Sequence, residues 1–184
     1  DLSQEEDMGI IAGFMVPHPP MIVPDIGRGS EVQVAATTAA YERVADEIAA
    51  LAPETIVITS PHSIMYADYF HISPGRSASG SFAGFRAPGV RFNEDYDTEL
   101  VREICRLADK EDFPAGTMGE RDKDLDHGTM VPLWFIRNNP LQTNGVDGEF
   151  MIVQVSGNGE YCPLYPETGK WTWQDISTTP TNIG

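Results

Sequence analysis

The sequence predicts an α/β domain organised around a parallel strand–helix–strand unit, and three observations carry that prediction. Ile10 to Val16 is an apolar run of strand length that stops at Pro17-His18. Thr55 to Thr59 is β-branched throughout and stops at Ser60-Pro61-His62. Between them Tyr41, Val44, Ile48 and Leu51 recur at three- and four-residue spacing, the stripe of an amphipathic helix. Strand, helix and strand in this order form a βαβ crossover, which is right-handed in nearly every case.

Each element has a local reason. The nearly continuous apolar run over 9–16 is what a central strand covered on both faces requires. Ser30 and Gln33 fit a capping box at the helix entrance, with Ser30 as N-cap and Gln33 reaching back to its N–H. Pro53 stops that helix. Residues 66–73 (YADYFHIS) read as another strand, and the Gly-, Ser- and Pro-rich stretch from Pro74 to Phe92 reads as a long functional excursion. A second helix starts near Asp95 or Asp97 and carries Leu100, Ile104 and Leu107 on one face. A third enters near Thr129, with Pro132 accommodated in its first turn, and Phe150 to Val155 is a further short strand.

At 184 residues and 41% hydrophobic, the chain can bury one substantial core, so a single domain over 8–157 is expected, followed by a tail over 158–184. A net charge of -16 argues against nucleic acid or an anionic membrane as partner. The two cysteines, Cys105 and Cys162, give no disulfide framework, and Cys105 reads as a buried thiol on the apolar side of a helix. A reducing cytoplasm fits best. The opening DLSQEEDMG has neither the basic nor the apolar region of a secretion signal, and no apolar run approaches the roughly 20 residues of a membrane span.

Three of the four histidines fall in loops flanked by Pro or Gly. If the two apolar runs are neighbouring strands, His18 and His62 leave the sheet at one edge, where open α/β sheets place their ligands. The prolines around His18 stiffen its loop, so little entropy is lost when it ligates a metal. The plainer reading of either residue is an ordinary turn hydrogen bond. His127 lies in Leu125-Asp126-His127-Gly128-Thr129, where Gly128 permits close approach to the backbone. Its plainer reading is a helix-entry loop residue, and Asp126 is too near in sequence to be assumed as its orienting partner. His71 alternates within a strand pattern and reads as structural. Two neutral imidazoles and one carboxylate would make the facial triad of a ferrous site. No carboxylate stands in a comparable motif; Glu149, Glu160 and Glu167 lie in the right half of the chain without one.

In this order and spacing, VPHPP, ITSPHS and LDHGTMVPL resemble the class III extradiol ring-cleavage dioxygenases, the LigB-like superfamily. YFHISPG, RFNEDYDTELVREICRLA and AGTMGERDKDLDHGT resemble in particular its AmmeMemoRadiSam subgroup, which is related to the Memo proteins. The likeness covers about residues 9–157. It implies an α/β fold whose central sheet is mixed and largely parallel, with helices on both faces. It also implies a non-haem Fe(II) site, with Zn or another divalent metal as the alternative occupant. By motif match His18 and His62 would be the metal ligands. His127 would be the catalytic residue that hydrogen-bonds substrate or oxygen. The implied reaction opens a catecholic ring beside its two hydroxyls with both atoms of O2. The implied partners are therefore a small aromatic substrate and O2, and a homo-oligomer is allowed. Family members take their carboxylate ligand and a further acid/base histidine from a later segment. No motif after Gly157 corresponds to it, so the C-terminal part reads as truncated or divergent. The alternative function is a Memo-like metal-binding, redox or interaction domain without ring cleavage.

Overall fold

The computed structural model describes residues 9–64, 66–119, 124–141 and 150–156. In chain order its elements are the single turn α1 (Pro24–Gly27), helix α2 (Ala35–Leu51), strands β1 (Thr55–Ser60), β2 (Phe70–His71), β3 (Ser77–Phe82) and β4 (Ala87–Asp95), helix α3 (Thr98–Lys110), strand β5 (Ala115–Gly116), helix α4 (His127–Arg137) and strand β6 (Met151–Ser156). β1 runs parallel to β6, with Thr55 opposite Met151 and Ser60 opposite Ser156. β2 runs parallel to β5, and β3 pairs antiparallel with β4. Bridges from Ile72 to Val155 and from Tyr96 to Ile152 join the chain beyond β2 and β4 to β6. β6 is apolar enough to sit in this centre: Ile152 and Val153 are fully buried. The fold is thus mixed α/β with parallel strand pairs, as the sequence predicts.

Helices α2 and α4 pack on one another, α4 also meets β1 and β3, and α3 lies against β5. α2 buries Tyr41 and Ile48 of the expected stripe together with Ala45, whereas Val44 is only partly buried and Leu51 is exposed. Along α4, Val131 and Leu133 are fully buried, each worth about 1.5–3 kcal/mol of apolar transfer. Asp97 caps α3, its carboxylate accepting the backbone N–H groups of Glu99 and Leu100 at 3.1 and 2.9 Å. Its other oxygen accepts the Thr55 hydroxyl at 2.6 Å, which pins α3 to the first residue of β1. No helix among the described residues is long and apolar enough to cross a membrane.

Five local expectations are corrected. Ile10–Val16 forms no strand, since β1 takes β6 as its ladder partner and Ile10 stands 97% exposed. The helix entrance at Ser30 is a 3-10 turn over Ser30–Val34 rather than a capping box. There the Glu31 carboxylate accepts the Gly29 N–H at 2.7 Å. The supposed excursion after Pro74 folds into the β3–β4 hairpin. α4 begins at His127, before the expected start, so Pro132 lies in its second turn and gives no N–H to the Gly128 carbonyl. Cys105 is half-buried rather than buried, and burial pushes its thiol pKa up; Cys162 lies outside the described residues.

Candidate metal centre

Two loops and one helix start deliver three imidazoles to one point. His18 follows Pro17, whose carbonyl accepts the hydroxyl of Tyr41 from α2. Tyr41 is itself fixed, stacked on Phe135 of α4 at 4.3 Å between ring centroids, and burial pushes its phenol pKa up. On the other side of His18 the chain turns at Pro20–Ile22 and buries Ile22 and Val23 completely. A ring between two such anchors is placed by the core beneath it.

His62 comes two residues after the end of β1, and its backbone N–H donates to Ser60 Oγ at 3.2 Å. His127 is the first residue of α4, directly after the N-cap Asp126. The helix start exists because Asp126 Oδ1 accepts the Thr129 N–H at 3.2 Å and Oδ2 accepts the Thr129 hydroxyl at 3.0 Å. Asp126 also accepts the Ser60 hydroxyl at 2.6 Å and the Gln154 side-chain amide at 3.0 Å. Gln154 in turn accepts the Tyr96 hydroxyl at 2.9 Å. Ser60, Thr129, Gln154 and Tyr96 are all buried, so this polar network replaces water with internal partners at nearly every position.

One nitrogen from each of His18, His62 and His127 lies within 4.8 Å of the others. The Nε2 atoms of His18 and His62 are 2.8 Å apart. With metal–nitrogen bonds of about 2.0–2.1 Å, two nitrogens at right angles on one ion stand about 3 Å apart, so this pair fits a shared cation. The His62 and His127 rings lie 4.0 Å apart between centroids, and the His18 and His127 rings 5.8 Å. Burial lowers the His18 pKa, helped by the His62 and His127 imidazoles and opposed by Asp126. Burial likewise lowers the His127 pKa, with His62 adding to it and Asp126 opposing. Both rings are thereby biased to the neutral state, whose lone pair can bind a metal or take a proton.

The structure therefore brings His18, His62 and His127 together. His71 does not join them: it is buried in β2, its backbone N–H donating to Ser156 Oγ at 3.0 Å. Among the described residues no carboxylate belongs to the cluster, and Glu149, Glu160 and Glu167 lie outside them. Sequence reasoning missed the roles of Ser60, Gln154 and Tyr96, whose partners are distant along the chain. It also missed Phe85 in the turn between β3 and β4, whose ring meets His127 edge-on at 5.4 Å. The Asp126-x-x-Thr129 spacing was the one available signal, because it is that of an N-cap.

Comparison with known proteins identifies the family. The family profile "Catalytic LigB subunit of aromatic ring-opening dioxygenase" matches residues 12–168. Protein CA_C1420 of Clostridium acetobutylicum is 40% identical over 157 residues, covering 81% of this chain and 32% of that protein. The 2-aminophenol 1,6-dioxygenase beta subunit of a Pseudomonas species is 29% identical over 172 residues, covering 87% of this chain and 52% of that subunit. The chain thus spans about a third and about half of the lengths of these two relatives. With most of its length matched, and with the histidine loops inside the match, the chain belongs to the LigB family of aromatic ring-opening dioxygenase catalytic subunits.

Proposed function

We propose that this chain carries the histidine side of a non-haem Fe(II) centre that opens a catecholic ring with O2. The convergence of His18, His62 and His127 is the observation that carries the reading. His18 and His62 would hold the ion, since their Nε2 atoms already stand at the spacing of two ligands on one cation. Fe(II), when bound, supplies the Lewis-acid and redox chemistry by which O2 and the dihydroxylated ring react. His127 would accept the proton of a substrate hydroxyl at a ring nitrogen and return it later in the reaction, a role its lowered pKa and adjacent position suit. Phe85 would form an aromatic wall beside it and help exclude water from the reacting face.

Small aromatic diols or aminophenols and O2 are the proposed reactants, the latter class supported by the name of the Pseudomonas relative. That relative is named a subunit, which supports assembly of this chain into an oligomer as well. Zn or another divalent ion is the alternative occupant. A second reading, metal binding without ring cleavage, is favoured by one observation: the described cluster has three imidazoles and no carboxylate. The test is to load the purified protein anaerobically with Fe(II), add catechol or 2-aminophenol, and follow O2 uptake with the absorbance of the ring-opened product. Stoichiometric Fe(II) without O2 uptake for either compound selects the second reading. Failure to bind any divalent ion rejects both.

A further inference from the structure

Beneath the three histidines lies a contact whose geometry bears on all of them. Ser60 ends β1 and Asp126 precedes α4, and their side chains meet at 2.6 Å across 66 positions of sequence. Ser60 Oγ uses its proton on Asp126 and its lone pair on the N–H of His62 at 3.2 Å. Asp126 is the residue directly before His127 and holds the first turn of its helix. One hydrogen bond therefore ties the backbone of His62 to that of His127. Gln154 braces the carboxylate from β6 and is braced by Tyr96, so the tie is also anchored in the central strand.

The space around the tie shows that the approach is close. A Cβ on Gly128 would stand 2.5 Å from Ser60 Oγ, 2.9 Å from Asp126 Oδ1 and 3.1 Å from His62 Cδ2. Glycine is required there for α4 to come this near to β1. We infer that Ser60 and Asp126 form a positioning clamp that fixes His62 as a ligand, and so tunes the affinity and geometry of the cation site, while holding His127 at a set separation from it. The inference rests on the metal-centre reading given above. Neither residue has to touch the ion: the clamp sets where the His62 loop leaves the sheet, as partners behind a metal ligand do.

Co(II) serves as the probe, because its affinity and visible spectrum report the site without turnover. Ser60→Ala and Asp126→Ala are each expected to weaken Co(II) binding ten- to a hundredfold in chelator competition, and to alter the visible bands. Because both break the same tie, the double variant is expected to lose little more than the worse single variant. In metal-free protein, Asp126→Ala is expected to accelerate exchange of the His62 amide about tenfold, although Asp126 does not touch that amide. If Asp126→Ala does not fold, Ser60→Ala decides through affinity and spectrum alone. Wild-type protein that binds Co(II), with variants that bind it equally and show the same spectrum, overturns the clamp. Wild-type protein that binds no Co(II) overturns the metal-centre reading instead. The clamp then stands if the variant accelerates His62 exchange and falls if it does not.

Discussion

His18 Nε2 lies 2.8 Å from His62 Nε2, although 44 positions separate the two residues in sequence. In metal-free protein the two can share one proton, and with a metal they can share the ion. Replacing either with Ala should abolish tight binding of one equivalent of divalent metal. Replacing His127 with Ala should leave metal content nearly intact and lower ring cleavage by roughly 10²- to 10⁴-fold, the usual contribution of a positioned acid or base. Metal stoichiometry of the three variants checks this. Equal loss in all three would make His127 a ligand.

Gly128→Ala should destabilise the protein by about 1–3 kcal/mol, since the added methyl group must displace Ser60, Asp126 or His62. Urea unfolding should show a lower midpoint with an unchanged slope. An unchanged midpoint would mean that α4 can retreat from β1 at no cost.

Arg137→Met should cost about 3–5 kcal/mol, because it strands the carboxylate of Glu94, which is only 3% exposed. The Arg137 guanidinium also lies 3.8 Å from the centroid of the Phe150 ring, a contact that methionine replaces only partly. Adding Glu94→Gln to Arg137→Met should recover much of the loss in thermal unfolding. No recovery would locate the cost in the Phe150 contact.

Metal-free protein should lose stability as pH falls from about 7.5 to 5.5 through the ordinary histidine range. Burial holds the folded pKa values of His18 and His127 below the ordinary histidine value of about 6.5, so the unfolded chain takes up protons first. The stability they contribute is complete above that value and declines as pH drops toward their folded values. Urea titrations in chelator should show this decline, and a His18→Gln, His127→Gln double variant should flatten it. An equal slope in that variant would assign the decline to other groups.

The parts of the fold legible in sequence are those with a strong local code. β1 is β-branched, α2 carries a 3.6-residue stripe, and Asp97 announces α3 as an N-cap. The β3–β4 hairpin was hidden because Ser, Gly, Ala and Pro carry weak strand preference; its period shows only in burial, through Ala78, Phe82, Phe92 and Glu94. Ile10–Val16 misled for the opposite reason, being apolar enough for a central strand without a ladder partner among the described residues. At the site, the Pro-His echo exposed His18 and His62, whereas Ser60, Gln154 and Tyr96 act through partners that only the folded chain supplies.

The parallel pairing of β1 with β6 carries a consequence for how the protein is made. Thr55 finds Met151 only after both intervening helices and the hairpin have left the ribosome. Pairings this distant in sequence close slowly, because chain entropy is lost before the contacts compensate for it. Until β6 arrives, Gln154 cannot brace Asp126, and the Ser60 contact between the segments bearing His62 and His127 lacks its support from the sheet. A nascent chain should thus form its helices early and bring the segments bearing His62 and His127 to their final separation late.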